Sequence, residues 1–325
     1  MEETRVLVRT SERSTFKECR QKWWWAYVEH LRKIRVSSPL FFGDLVHRSL
    51  EAWYIPGKKR GVHPAVTFSA LWGEWLANGG EEVMVGEHSA GDLGVEMLKN
   101  YVDFYGNDEH LEVIAPEMKF QVDVEDSKGN YLFTYVGTCD GVVRDLTTMK
   151  IGILEHKTGA SLEPFGAPLP LDDQNGAYWT FLPFQLWEDE ILPHGQWPDF
   201  MLYNRLRKAP ADQRPKNSMG QALNKNGSVS KVQPAPLFRR EFIMRTNGDR
   251  RNVMRSAKAE AREMGLVKNR KLQVYKHPGK HCGYCEFREM CEVHETGSDW
   301  KALRDNMYVT WNPYDEHEIQ LEGKT

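Results

Sequence analysis

The chain has 325 residues, 40% hydrophobic side chains and a formal net charge of −3. This apolar fraction is enough for a folded core and excludes a chain that is disordered throughout. The near-neutral charge excludes a uniformly basic protein that coats nucleic acid. No stretch approaches the roughly 18 apolar residues of a membrane span, and the N-terminal residues lack the apolar core of a signal peptide. We therefore expect a soluble, cytoplasmic protein.

The spacing of apolar residues predicts the secondary structure in chain order. Helices are expected at 14–34, 41–54, 64–105 (with glycine breaks), 172–187 (with Pro183 as a kink or an end) and 249–265. Strands are expected at 117–125, 131–144, 150–159 and 199–208. The order of helix, three strands, helix and strand indicates an α/β domain with a small mixed sheet.

The second and third strands bring charged residues together. If Arg144 faces Ile151 across the hairpin, Asp140 falls opposite Glu155, at about 5 Å between the Cβ atoms. Strand alternation places Lys157 on the same face as Glu155 and His156 on the reverse face. One interpretation is an ion pair at a sheet edge. The other is a site for a hard cation, Mg²⁺ or Mn²⁺, because these ions prefer carboxylate oxygens.

Four sequence motifs resemble those of one family. The segments GTCD, ending at Asp140, and EHK, at 155–157, resemble the PD-(D/E)XK nuclease superfamily and in particular its RecB-like branch. Gly43 and His47 in GDLVH resemble the first motif of that branch, and we expect Gly43 to clear space beside the histidine. Gln174 and Tyr178 resemble its Q-x-x-x-Y motif. The resemblance implies a restriction-endonuclease-like αβββαβ core.

The same resemblance implies roles for individual residues. The metal ligands would be His47, Asp140, Glu155 and the His156 backbone carbonyl. Lys157 would assist the attacking water. Gln174 and Tyr178 would contact DNA or support the site. Glu117, before the hairpin, stands where the family often has an auxiliary acid, although a solvated glutamate at a strand end explains it equally well.

Four of the five cysteines form a pattern with one remote and three clustered members. Cys282, Cys285 and Cys291 give C-x₂-C-x₅-C, and Cys19 lies in the first predicted helix. This resembles the iron–sulfur members of the RecB-like nucleases, the AddB-type and CRISPR-associated exonucleases, and implies a four-iron–four-sulfur cluster that clasps the chain; zinc is the alternative. Arg20 departs from the family, which commonly has proline there. Cys139 is expected to be a buried strand thiol.

A basic segment follows the last predicted strand. Residues 205–255 contain 13 Lys/Arg and three acids. Within it, residues 209–236 are rich in Pro, Asn, Gly and Ser and predict a mobile loop. The loop is either solvated and disordered or a strip that grips a nucleic-acid backbone. In the second interpretation the DNA-binding residues are Lys208, Arg214, Lys216, Lys225 and Lys231. Several aromatic side chains, including the run Trp23 to Trp25, are expected to stack bases, although a run of three on a helix points in several directions and at least one is expected in the core.

These observations predict one elaborated nuclease domain over 1–325. Its parts are a helical insertion at 55–110, a catalytic sheet core at 116–208, the basic loop at 209–236, and a cysteine segment at 270–296 joined to Cys19. The expected function is a DNA exonuclease acting on single-stranded ends in recombination, end processing or spacer capture, with recombination or CRISPR adaptation partners. The alternative is a non-catalytic DNA-binding or assembly subunit that keeps the fold.

Overall fold

A computed structural model describes residues 6–34, 38–163 and 168–315. The strands in these ranges are β1 (Leu7–Val8), β2 (Leu31–Lys33), β3 (Met84–Val85), β4 (His88–Ser89), β5 (Leu111–Glu125), β6 (Tyr131–Asp145), β7 (Ile151–Gly159), β8 (Phe200–Arg207), β9 (Phe238–Ile243) and β10 (Tyr308–Thr310). The α-helices are α1 (Thr10–Glu18), α2 (Arg20–Trp23), α3 (Ser38–Glu51), α4 (Pro64–Ala77), α5 (Ala90–Tyr105), α6 (Asp173–Glu188), α7 (Asn247–Lys268), α8 (Arg288–Glu295) and α9 (Trp300–Met307). The chain is thus a mixed α/β protein.

The centre is a six-stranded mixed sheet in the order β1-β6-β7-β8-β9, with β5 paired to β6. The strands β5, β6 and β7 are antiparallel neighbours, whereas β8 lies parallel to β7 after the crossover through α6. One apolar core holds residues of α1, α6 and α7 against the sheet, and a second holds residues of α3, α4 and α5. The predicted order of helix, three strands, helix and strand is present, as α3, β5 to β7, α6 and β8.

The first predicted helix is wrong as a single element. Cys19 is extended (φ −161°, ψ 119°) and separates α1 from α2, which continues as a π-helix at Trp24–Val28 before β2 begins. The Cys19 sulfur accepts the backbone N–H of His277 at 3.4 Å, and the Gln21 N–H donates to the Tyr275 carbonyl at 3.2 Å. The bond from the Gln21 N–H to Tyr275 therefore replaces the bond to the Lys17 carbonyl that a continuous helix would contain.

Other boundaries also differ from the predictions. The 64–105 region divides into α4, the small hairpin of β3 and β4, and α5. Pro183 neither ends α6 nor divides it, because the helix continues to Glu188. The described 209–236 segment forms turns and two isolated bridges, Lys216 with Ala222 and Leu223 with Val229. Immediately after it lies β9, which was not predicted.

Candidate metal centre

The register between β6 and β7 is the predicted one. Arg144 pairs with Ile151, and the ladder continues to Gly141 opposite Leu154. The next position would place Asp140 opposite Glu155, and the hydrogen-bonded ladder ends just before it. The two strands separate at this point, so the carboxylates lie at the opening between them.

Asp140 holds the two sides of this opening together. Its Oδ2 accepts the backbone N–H of His156 at 2.5 Å, and its Oδ1 lies 3.0 Å from Nδ1 of His47 on α3. Burial favours the neutral acid, but the neighbouring imidazoles and Lys157 outweigh it and bring the pKa of Asp140 to about 2. Asp140 is therefore an anion that two other elements orient.

Glu117 lies on the other side of Asp140. It falls between the pairs Pro116–Gly141 and Met118–Cys139, which places it opposite Asp140. Its backbone is in the left-handed region (φ 41°), a conformation that is strained for glutamate. Burial, followed by the charge of Asp140, raises the pKa of Glu117 to about 8. Three strands thus present three carboxylates side by side.

The atoms of this centre are close enough to share one ion. One ligand atom each from His47, Glu117 and Asp140 lies within 4.8 Å of the others, the sole such set of His, Cys, Asp and Glu side chains in the described part of the chain. The sequence motifs single out two of these residues. Glu117 was an ambiguous prediction, because a glutamate at a predicted strand start carries no signal of its own.

Glu155 and Lys157 form an ion pair beside this set. Nζ of Lys157 lies 2.6 Å from Oε1 of Glu155, whose side chain is almost fully buried. Oε2 of Glu155 has no hydrogen-bond partner within the described residues. Burial and then the charge of Asp140 raise the pKa of Glu155 to about 7. Burial alone would lower the pKa of Lys157, but Glu155 and Asp140 raise it overall.

The helix α6 supports the strand that carries Asp140. Nε2 of Gln174 donates to the Tyr178 hydroxyl at 2.6 Å, and that hydroxyl donates to the Thr138 carbonyl at 2.6 Å. Tyr178 is buried, which raises its pKa well above the usual value. The two residues of the predicted Q-x-x-x-Y motif are therefore joined to each other and to β6. Gly43 is less special than expected: a Cβ there would meet Thr158 Oγ1 at 3.5 Å, an ordinary contact.

His156 projects to the opposite face of β7, a face to which no sequence motif points. Its Nδ1 lies 2.8 Å from Nδ2 of Asn204, and its ring stacks on Tyr54 at 5.3 Å. Burial lowers the pKa of His156 to about 3. The ring is thus neutral, and Asn204 donates to it. The same amide donates to the Tyr101 hydroxyl at 2.8 Å.

A buried ion pair lies next to the hydrogen-bonded group of His156, Asn204 and Tyr101. Both terminal nitrogens of Arg240 lie 2.6 Å from the two oxygens of Asp108. The Tyr54 hydroxyl donates to Asp108 at 2.7 Å. Burial raises the pKa of the Asp108 carboxyl, but the hydrogen bonds and charge of Arg240 outweigh it and lower that pKa overall. This network joins α5 and the segment that precedes β5 to β9, on the face of the sheet opposite the candidate centre.

The remote and clustered cysteines meet at one place. A cavity of about 350 Å³ is lined by all four members of the pattern: Cys19, Cys282, Cys285 and Cys291. The backbone N–H of Gly279 donates to the Cys282 sulfur at 3.4 Å, a second N–H···S contact beside that of Cys19. Burial raises the pKa of Cys285 and of Cys291. The fifth thiol, Cys139, is buried in the apolar core as expected.

The five residues predicted to bind DNA differ from one another in their surroundings. Arg214 forms an ion pair with Asp212 at 2.5 Å and donates to the Val232 carbonyl at 3.1 Å, so it crosslinks its own loop. Nζ of Lys208 lies 5.2 Å from the centre of the Phe42 ring, and burial lowers the pKa of Lys208. The other three lysines, at 216, 225 and 231, are exposed.

Comparisons with known proteins cover most of the chain. A family model described as the PD-(D/E)XK nuclease superfamily matches residues 10–292. A solved structure described as "Crystal structure of SSO0001" is 12% identical, covers 90% of this chain and 88% of its own, and gives a TM-score of 0.36. No curated protein matches. Within the described residues, no helix has the length and apolar character needed to cross a membrane.

Proposed function

This chain belongs to the PD-(D/E)XK nuclease superfamily, and we propose that it is a metal-dependent DNA exonuclease acting on single-stranded ends. The observation that carries the proposal is the row of three carboxylates, Glu117, Asp140 and Glu155, with Lys157 beside it. Such a row concentrates negative charge at one place, which is costly unless a cation binds there. Oε2 of Glu155, buried and without a hydrogen bond in the described structure, is the clearest sign that this site binds a cation.

The donor set fits Mg²⁺ or Mn²⁺. The ligands would be the side chains of His47, Asp140 and Glu155 and the backbone carbonyl of His156, and the geometry adds Glu117. Carboxylate and carbonyl oxygens suit both ions, and one imidazole is compatible with Mn²⁺. When bound, such an ion activates a water molecule and stabilises charge that develops on the phosphate.

The residues of the chain then have separate tasks. Lys157, held by Glu155, places an ammonium group with several N–H donors where it can orient the water and offset phosphate charge. Gln174 and Tyr178 fix the backbone of β6 at Thr138 and so keep Asp140 in place. The basic segment beyond β8 supplies phosphate contacts, with Lys208, Arg214, Lys216, Lys225 and Lys231 as the proposed DNA-binding residues.

We also propose that the four cysteines hold a four-iron–four-sulfur cluster. The cavity that they line and the two backbone N–H groups directed at sulfur support this. Because the thiolates come from both ends of the chain, the cluster would act as a clasp. Brown protein containing iron is expected after purification; colourless protein containing zinc would favour the alternative metal. A role in recombination, end processing or CRISPR adaptation would follow from the relatives that this pattern resembles.

Degradation of end-labelled DNA tests the main proposal. Single-stranded, double-stranded and circular single-stranded DNA are incubated with Mg²⁺ or Mn²⁺ and with the wild type, Asp140→Ala, Lys157→Ala or Lys150→Ala. Lys150 is an exposed lysine in the β6–β7 turn and serves as the matched control. We expect the wild type and the control to degrade linear single strands, and the two site variants to be inactive. Cleavage of circles would contradict a strict exonuclease, and equal activity in all four proteins would contradict the site.

A further inference from the structure

A row of basic residues crosses three strands next to the candidate centre. Lys157 on β7 pairs with Arg205 on β8, and Arg205 pairs with Arg239 on β9. Directly paired residues project to the same face of a sheet, about 4.8 Å apart per strand. The row therefore begins at the lysine of the centre and ends at β9.

The first and last members of the row already have acidic partners. Lys157 is paired with Glu155. Nε of Arg239 lies 2.8 Å from Glu241, and its Nη1 donates to Glu163 at 3.0 Å. These two basic side chains are 37% and 36% exposed, so solvent reaches the row on either side of its middle member.

Arg205, in the middle, is different. The residue is only 5% exposed, yet its Nε and Nη2 have no hydrogen-bond partner among the described residues. Its Nη1 donates to the Leu162 carbonyl at 2.5 Å, and the nearest carboxylate, Glu241, stays 3.8 Å from Nε because Arg239 holds it more closely. A buried guanidinium with unused donors is unfavourable unless an anion binds to it.

The surroundings of Arg205 connect it to the centre. Its guanidinium carbon lies 5.1 Å from the centre of the Tyr203 ring. Tyr203 pairs with Glu155 in the β7–β8 ladder. Burial raises the pKa of Tyr203 to about 12, and the charges of Lys157 and Glu155 also act on its hydroxyl. Tyr203 therefore lies next to Arg205 and is paired with Glu155 of the candidate centre.

We propose that Arg205 binds a phosphate of the substrate strand next to the scissile phosphate. This inference rests on the proposed nuclease function and extends it to a residue outside the sequence motifs. The planar guanidinium matches two phosphate oxygens through parallel N–H donors. The phosphate accepts from Nε and Nη2, the two donors that lack partners, while Nη1 keeps the Leu162 carbonyl as its acceptor.

The salt dependence of DNA binding tests this role. Binding of a fluorescein-labelled single-stranded 20-mer is followed by anisotropy in EDTA, between 50 and 300 mM salt, for the wild type, Arg205→Gln and Arg144→Gln. Arg144 also forms one ion pair, with Glu112, at the far end of β6. We expect Arg205→Gln to weaken binding about tenfold and to reduce the slope of log affinity against log salt by about 0.7, the value for one single-strand phosphate contact. Arg144→Gln should change neither.

A second measurement keeps the inference falsifiable if Arg205→Gln fails to fold. Oligonucleotides with one neutral methylphosphonate at successive positions are bound to the wild type and to Arg205→Lys. The wild type should lose affinity at the position that Arg205 contacts, and the variant should lose clearly less there. Equal losses at every position, or an unchanged salt slope in a folded Arg205→Gln, would overturn the role of Arg205 alone. A wild type that neither binds nor cuts DNA would instead overturn the proposed function.

Discussion

The two faces of the same three strands, β7 to β9, differ in whether their buried polar groups have hydrogen-bond partners. On one face lie Glu155, Lys157 and Arg205, where buried carboxylate and guanidinium atoms lack hydrogen-bond partners in the described structure. On the other face His156, Asn204 and Arg240 are also paired across the strands. There, no buried polar side-chain atom of these three lacks a partner in the part of the chain that the structure describes.

The difference separates a binding surface from a scaffold. Both faces bury charge, so burial alone does not distinguish them. A network whose groups satisfy one another stabilises the fold and needs no ligand. On a face with unsatisfied groups, carboxylates whose pKa is raised favour binding of a cation, and guanidinium donors without partners favour binding of an anion. Removing charge should therefore have opposite consequences for stability on the two faces.

The largest effect is expected on activity, from Glu155→Gln. This change removes a proposed metal ligand and should lower the cleavage rate on the order of 10²-fold or more. Because it also removes a buried charge with an unsatisfied oxygen, the thermal unfolding midpoint of the metal-free protein should stay the same or rise. If the variant retains activity, or if its unfolding midpoint lies well below that of the wild type, this face is not a binding surface distinct from the scaffold face.

On the scaffold face, Asp108→Asn should cost stability instead. It leaves Arg240 buried without its carboxylate partner, a loss of about 3–5 kcal/mol in the free energy of unfolding at pH 7. The pKa of Asp108 is lowered in the folded protein, so its contribution is complete above the unfolded pKa of about 3.9 and disappears as the pH falls through the folded value. Denaturant titrations at pH 7 and near pH 3 measure this, and equal differences at both would contradict the ion-pair origin.

The opposite pH dependence is expected for Glu117→Gln. The pKa of Glu117 is raised from 4.5 to about 8, so the ionised form destabilises the metal-free protein increasingly between these values. The substitution should raise the unfolding midpoint by a few °C above pH 8 and leave it unchanged below pH 4.5. Added Mn²⁺ should stabilise the wild type more than the variant. The same shift at both pH values would show that ionisation of Glu117 does not destabilise the metal-free protein.

The smallest effect is expected for Gly43→Ala on α3. A Cβ at this position makes an ordinary contact with Thr158 Oγ1, and alanine is the better helix former by about 1 kcal/mol. The unfolding midpoint should be unchanged or slightly higher. A strong destabilisation would show that glycine is needed there for space, as the motif predicts.

The sequence predicted the sheet better than it predicted the groups behind it. Strand alternation and hairpin register follow from local pattern, so the position of Asp140 opposite Glu155 could be predicted from the sequence. The strand β9 was not, because Arg239, Arg240 and Glu241 interrupt its apolar pattern and become meaningful only when paired with β8. The network of Asp108 and Arg240 joins residues far apart in the chain, and no local period reports such a contact.

The first predicted helix also shows that local sequence does not report long-range contacts. Its residues contain no glycine or proline, and local propensity favours a continuous helix. Cys19 nevertheless adopts an extended backbone, since its sulfur and the neighbouring Gln21 N–H bond to the segment at 275–277. Tertiary contacts override helix propensity here, and they do so at the residue that the cysteine pattern marks as important.

The row of Glu117, Asp140 and Glu155 is proposed to bind a divalent cation. Isothermal titration of Mn²⁺ into the wild type, Asp140→Asn and Asp103→Asn tests it most directly; Asp103 is an exposed aspartate on α5. We expect saturable binding to the wild type and to the Asp103→Asn control, and none at the same concentrations to Asp140→Asn. Equal binding by all three proteins, or no binding by the wild type, would contradict metal binding at this row.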